Sequence, residues 1–308
     1  MALASPKIST TVRSFVQLKT LRTGYRLGSR LAPEATMQRA AQLFCTPLPG
    51  SRERARRAPR GNARESRVEV DGTSIARYVW GDPAHQPYVL FAHGWSSHGA
   101  RIVPWVTPLI TAGYAVVAFD QAGHGNSGGR QSTLPDFIHV LMEIGRRHGP
   151  AAAVIGHSLG GAAAALALAR GLQAGRAILL APAADPVDAT HRFAGVVGLA
   201  GHLCQRMFEM FEARMGIRFE DQQAHRQAPW IGRPGLIIHD LEDREVPWAE
   251  GERWARHWPA SRLLSTRGLG HNRILDDPAV IAAGMRFLQG QDIGERVVSS
   301  PNLPFGLA

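Results

Sequence analysis

A serine at position 158 stands in the run Gly156-His157-Ser158-Leu159-Gly160-Gly161, between the apolar stretch Ala152 to Ile155 and an Ala-rich stretch, Leu159 to Arg170. A buried strand turning tightly into a helix would hold that serine in strained backbone geometry, with its hydroxyl exposed above a sheet. Glycines two positions to either side let neighbouring chains approach closely. The helix that follows offers unpaired N–H groups and the positive end of its dipole to a developing anion. Such a hydroxyl can attack an ester-like carbonyl only with a base beside it, because serine at its own pKa is a poor nucleophile. The G-x-S-x-G spacing alone also occurs in ordinary Gly-rich turns; the strand before it and the helix after it give it weight.

Thirteen histidines compete for the role of base. His271 is the best placed, in Gly268-Leu269-Gly270-His271, a glycine-rich loop after the last expected strand. From there it reaches the C-terminal edge of a sheet. An imidazole acting as base needs a carboxylate to fix its tautomer and stabilise the imidazolium. Asp243 follows the expected strand Leu236 to His239 by a short turn and so reaches the same edge. Asp240 and Glu242 are close rivals, and Asp185, after the preceding strand, is a further one.

The elements that would position these groups are legible as alternation. Val68 to Val70, an Asp71-Gly72 turn and Ile75 to Trp80 make a β-hairpin. Strands are then expected at Tyr88 to Ala92, Ala115 to Phe119, Ala152 to Ile155, Ala177 to Leu180, Leu236 to His239 and Arg262 to Thr266. Between and after them fall helices at Ile102 to Ala112, Leu134 to His148, Leu159 to Arg170, Trp248 to His257 and Pro278 to Leu288. Apolar strands alternating with helices predict an α/β class: a mostly parallel central sheet with helices on both faces, led by an antiparallel N-terminal hairpin. The rhythm breaks at residues 186–233, too long for a simple loop of about 2–6 residues. A small helical cap inserted after a strand is the economical reading, and its Met207, Met210 and Phe211 are candidates for contact with an apolar substrate.

Five pieces carry a family resemblance: Phe91 to Trp95, Phe119 to Ser127, the Gly156 to Gly161 turn, His239 to Pro247, and Gly270-His271. In this order, from about Val68 to Leu288, the chain resembles the α/β-hydrolase fold family, particularly bacterial serine hydrolases of esterase or lipase type with a small cap. The chain order serine, acid, histidine is that of this fold. The family's H-D-x-x-D-x-x-V-P pattern favours Asp243 over Asp240 and Glu242, while some relatives place the acid where Asp185 stands. The resemblance further implies an oxyanion hole formed by the backbone N–H groups of Leu159 and Trp95. His93 and the segment Asp120 to Ser127 are expected to order loops. Serine at the turn excludes relatives that use a carboxylate there. What remains is cleavage of a carboxylic ester or thioester of medium-sized apolar substrates through an acyl-enzyme. The alternatives are other serine chemistry (carbon–carbon bond hydrolase, aminopeptidase, perhydrolase) and a non-catalytic hydrolase-like ligand sensor.

Composition bounds the rest. The 308 residues suit one α/β domain with an insertion. The division expected is an N-terminal helical segment and basic linker at 1–66, the hydrolase domain at 67–290 and a C-terminal tail at 291–308. Two cysteines, Cys45 and Cys204, make no disulfide framework, and neither a metal constellation nor a dinucleotide fingerprint is visible, so no cofactor is expected. No apolar run reaches the ~18 residues of a membrane span, nor does an apolar core follow the basic opening as in a secretory signal, so a cytoplasmic location is expected. The net charge of +10 suggests nucleic acid at first sight. Its distribution argues otherwise: six basic residues and no acid lie in the first 33, and seven arginines lie between Arg52 and Arg67. The charge belongs to the N-terminal segment, as a solvated linker or a weak contact with a membrane surface or polyanion; its acid-free opening also resembles an organellar presequence.

Overall fold

The computed structural model of the protein describes residues 10–297, with side chains from Leu18 onward. The start of the acid-free opening that resembles a presequence, residues 1–9, therefore lies outside the described residues, and residues 10–17 are described by their backbone alone.

Asp71 and Gly72, both at positive φ (45° and 73°), fold β1 (Arg64–Val70) back onto β2 (Thr73–Trp80). Two successive left-handed residues make the tight turn whose twist suits an antiparallel pair. The sheet continues through β3 (Tyr88–Ala92), β4 (Ala115–Phe119), β5 (Ala151–His157), β6 (Ala174–Leu180), β7 (Gly235–Asp240) and β8 (Ser261–Thr266). The strands lie in the order β1-β2-β4-β3-β5-β6-β7-β8, with β1 and β2 antiparallel to their neighbours and the pairings among β3 to β8 all parallel. Every residue of β3, β4 and β7 is buried, as a sheet covered on both faces requires. The chain departs in opposite directions from β3 and β5, and the crevice beyond their C-terminal ends is where open α/β sheets place ligands.

Three helices precede the sheet, α1 (Thr10–Leu31), α2 (Pro33–Phe44) and α3 (Ser51–Arg57). Those that follow are α4 (Val103–Thr111), α5 (Leu134–His148), α6 (Leu159–Ala169), α7 (Pro186–Val197), α8 (Gly201–Met215), α9 (Ala224–Gln227), α10 (Trp248–His257), α11 (Gly270–Arg273) and α12 (Pro278–Leu288). Alternate strand residues serve opposite layers. Tyr88, Leu90 and Ala92 of β3 join a core with Phe137 of α5, Ala163 of α6 and Trp254 of α10. Val89 and Phe91 join the other, with Trp105 of α4 and Phe287 of α12. None of the described helices is long and apolar enough to cross a membrane.

The chain forms two compact units. One comprises the N-terminal helices, through Cys45, together with Pro186–Glu220; the other comprises Thr46–Asp185 and the chain from Asp221. The insertion thus shares its unit with α1 and α2, and that unit ends at Glu220, short of the expected 233. Met37, Ala40 and Ala41 of α2 pack with Leu203, Met207, Phe208 and Phe211 of α8, and Arg206 pairs with Glu34. The candidate contact residues of the insertion take part in this packing. Met207 and Phe211 are buried in their own unit's core, where their bulk fills the interface with α2, and Met210 packs partly buried against it.

The basic stretch is also more ordered than a linker. Glu53 pairs with Arg56 and Arg57 along α3, Ala55 is buried, and Arg52 donates to the carbonyls of Ser127 (3.0 Å) and Gly129 (2.7 Å). At the other end, within the expected C-terminal tail, Glu295 exchanges two backbone hydrogen bonds of 2.7 Å with Leu263.

Candidate active site

Ser158 follows the last residue of β5 at φ 55° and ψ −122°, a region an L-residue enters only under constraint, at a cost of about 1–3 kcal/mol. The constraint comes from backbone packed against backbone. A Cβ on Gly156 would lie 2.5 Å from the Gly160 carbonyl oxygen, and one on Gly94 would lie 2.9 Å from the Ser158 Cβ. The loop after β3 therefore rests directly on the turn that carries the serine. Leu159 opens α6, so its N–H has no intrahelical acceptor. Neither that N–H nor the N–H of Trp95, next to Gly94, is taken by another backbone carbonyl among the described residues.

Three side chains meet here. Ser158 Oγ lies 2.9 Å from His271 Nε2, and His271 Nδ1 lies 2.7 Å from Asp243 Oδ2. A carboxylate only accepts, so Nδ1 carries the imidazole's proton and the bare Nε2 accepts from the serine hydroxyl. All three residues are buried. For Asp243, burial alone would raise the carboxyl pKa. Hydrogen bonds from His239 and His271 and the Val246 N–H outweigh it and hold the pKa well below the usual range. The Asp243 Oδ1 meanwhile accepts from the N–H groups of Glu245 (2.8 Å) and Val246 (2.9 Å), which fixes the turn after β7.

The rival acids are engaged elsewhere. Asp240 accepts from Thr266 Oγ1 (2.8 Å) and the Leu269 N–H (3.0 Å), bracing the loop that leads to His271. Asp185 pairs with Arg253 and accepts from Gln223 Nε2. Glu242 lies 3.7 Å from Arg267. His93 accepts the Gln121 N–H at Nε2 (2.9 Å) and donates from Nδ1 to the Gly94 carbonyl (2.7 Å), which orders the loop bearing Trp95. Asp120 accepts from Tyr78 Oη and from the N–H groups of Gly99 and Asn126, each at 2.7 Å, and ties the wall together. Met207, Met210 and Phe211 belong to the packing of the helical unit. The described residues include no group of three or more potential metal ligands.

One neighbour was not singled out from sequence. His157 Nε2 lies 2.9 Å from the carbonyl oxygen of His271, and the two rings are 4.9 Å apart. Burial is the main cause that pushes the His157 pKa down to about 3, so the ring is neutral and Nε2–H is the donor. The residue beside the serine thus holds the backbone of the residue that bears the imidazole. Its place in the turn was visible; a partner 114 positions away was not. Losing a buried hydrogen bond of this kind is worth about 1–3 kcal/mol. His157→Ala is expected to lower kcat by about 10–100-fold with KM little changed. His157→Gln, which restores an N–H donor, should recover most of that. A loss confined to thermal stability, with kcat intact, would make the contact structural only.

Comparison with known proteins bears on the family and the fold. Residues 83–228 match the family described as serine aminopeptidase, S33. A monoacylglycerol lipase of Mycolicibacterium smegmatis is 34% identical over 101 residues, 30% of this chain; the match spans about a third of the relative's length (36%). Among solved structures, a bacterial membrane phospholipase A superposes with a TM-score of 0.58 at 18% identity, covering 92% of this chain and 99% of that one. Mouse alpha/beta hydrolase domain-containing protein 10 superposes with a TM-score of 0.57 at 21% identity, covering 74% and 98%. The thioesterase domain from the curacin biosynthetic pathway gives 0.56 at 18%, covering 74% and 100%. At these identities the structural likeness speaks for the fold.

Proposed function

Because the chain belongs to the α/β-hydrolase family of esterase- and lipase-like proteins, we propose that it is a serine hydrolase cleaving a carboxylic ester through an acyl-enzyme on Ser158. The observation that carries this reading is the continuous relay from Ser158 Oγ to His271 Nε2 (2.9 Å) and from His271 Nδ1 to Asp243 Oδ2 (2.7 Å). In the reaction, Ser158 Oγ bonds to the substrate carbonyl carbon while its proton passes to His271 Nε2. The carbonyl oxygen becomes an anion and accepts from the N–H groups of Leu159 and Trp95. His271 then protonates the departing alkoxide, the ester C–O bond breaks and the acyl group stays on Ser158. Water repeats the sequence: it gives a proton to His271, adds to the acyl carbon, and frees the carboxylic acid as the proton returns to Ser158. Asp243 remains ionised throughout and keeps the imidazole in the tautomer that can accept.

The ester as substrate, and a glyceride-like monoester in particular, rests on the partial match to a monoacylglycerol lipase. Of the apolar residues that sequence offered in its support, Met207 and Phe211 are buried and Met210 is partly buried. A fluorophosphonate probe and matched p-nitrophenyl ester, thioester and anilide series test the reading. Labelling should map to Ser158, and esters should be turned over well ahead of anilides. Folded protein that neither reacts with the probe nor turns over any ester would overturn it, while faster anilide cleavage would reassign it to amide chemistry.

A further inference from the structure

A second cluster of chemistry lies on the outer strands, away from Ser158. Arg64 and Ser66 of β1 face Arg77 and Val79 of β2 across the hairpin register. Together with Arg147 and His148 at the C-terminal end of α5 and the turn Asp82-Pro83-Ala84, they line a cavity of about 460 Å³. That volume is within the usual range for small-ligand sites, about 300–1,000 Å³. β2 lies three strands from β5, roughly 14 Å along the sheet at about 4.8 Å per strand.

The three guanidinium groups are held by neutral partners more than by acids. Arg77 donates from Nε to Ser66 Oγ (3.0 Å) and from Nη1 to His148 Nε2 (3.1 Å). Arg64 donates to the Gly81 carbonyl (3.0 Å), and Arg147 to the Glu69 carbonyl (2.6 Å) and to Glu143 (2.8 Å). Glu143 is shared with Arg146, and Asp82 is paired with His85. Neither Arg64 nor Arg77 makes an ion pair with a described residue, and Nη2 of Arg77, Nη1 of Arg147 and Nε and Nη1 of Arg64 carry no hydrogen bond within the described chain. Like charges gathered so closely repel, and the carboxylates nearby are shared: Glu143 between Arg146 and Arg147, and Asp82, on the cavity wall, between His85 and the field of Arg64. After burial itself, Arg147 and Arg64 are the causes that lower the pKa of Arg77. A fold tolerates such a cluster more easily when an anion relieves it, and forked N–H donors suit the oxygens of a phosphate.

We propose that the cavity between the β1–β2 hairpin and the end of α5 binds a phosphate-bearing ligand, with Arg64, Arg77 and Arg147 as its donors. The site stands apart from the reaction at Ser158 and does not depend on what that serine does. Two sources supply this chemistry, a free phosphate compound and a phospholipid headgroup.

Calorimetric titration with inorganic pyrophosphate tests the shared chemistry. Full-length protein should bind it, the affinity should fall at least tenfold in Arg77→Gln, and Arg77→Lys should keep part of it. Arg64→Gln with Arg147→Gln, changes at exposed side chains, provide the same test should Arg77→Gln disturb folding. Circular dichroism and thermal unfolding should remain at the parental level in all of them, which certifies an intact fold. Sedimentation with phosphatidic acid vesicles against phosphatidylcholine vesicles separates the sources, because α1 is common to parent and variant. Retention that falls in Arg77→Gln indicates a headgroup; equal retention, with pyrophosphate binding lost, indicates a free phosphate. Absence of pyrophosphate binding in the parent, or binding unchanged within twofold in both variants, would overturn the proposal.

Discussion

Replacing Ser158 with alanine is expected to lower kcat for ester hydrolysis by about 10⁴–10⁶-fold, because the group that forms the covalent bond is gone while the oxyanion donors remain. His271→Ala should cost a similar factor, since without Nε2 the hydroxyl lying 2.9 Å away has no base. The diagnostic outcome is the double variant. Residues acting as one unit are not additive, so Ser158→Ala with His271→Ala should be scarcely slower than either alone. Single-turnover measurements on purified variants, checked for folding by circular dichroism, read this directly. A Ser158→Ala enzyme that keeps a tenth of the parental rate would rule out the assignment.

Asp243→Asn is expected to lower kcat by about 10⁴-fold, through the tautomer of the imidazole more than through loss of the loop. An asparagine carbonyl in the Oδ1 position still accepts the N–H groups of Glu245 and Val246, so the turn after β7 keeps its shape. Its amide nitrogen then faces His271 Nδ1 as a donor, where the carboxylate accepted at 2.7 Å. Two donors cannot face each other. The imidazole proton is driven to Nε2, where it opposes the serine hydroxyl instead of accepting from it. KM should change little, because Asp243 is buried and offers the substrate no surface. Asp185→Asn is the control: paired with Arg253, it should leave kcat within a few-fold. A large loss there with Asp243→Asn nearly silent would move the acid to the end of β6.

The positions around Ser158 were legible because each follows closely on a strand whose apolar run is unmistakable. Ser158 follows β5, Trp95 follows β3 and Asp243 follows β7, and strand ends in a parallel sheet share one edge. The hairpin was legible for a local reason too, since Asp71-Gly72 suits two successive positive φ values. What sequence did not disclose is pairing between distant segments. The stripe of Met207 and Phe211 reads equally as a ligand-facing surface or as a face awaiting another helix, and only the fold supplies α2 as its partner. Arg52 to Arg57 reads as a solvated linker because its charges are visible, whereas the carbonyls of Ser127 and Gly129 that receive Arg52 are not. His157 illustrates the same limit at the centre of the chemistry, since its hydrogen bond to the His271 carbonyl joins two motifs each recognisable alone.

The shared unit of α1, α2 and the insertion also bears on how the chain is made. During synthesis α2 leaves the ribosome with Met37, Ala40 and Ala41 ready to bury, but the segment that covers them begins only at Pro186, about 140 residues later. At translation rates of about 5–20 residues per second that is a wait of roughly 7–28 s. Throughout it the nascent chain displays an apolar helical face that only the finished fold covers, a window in which that face is open to aggregation.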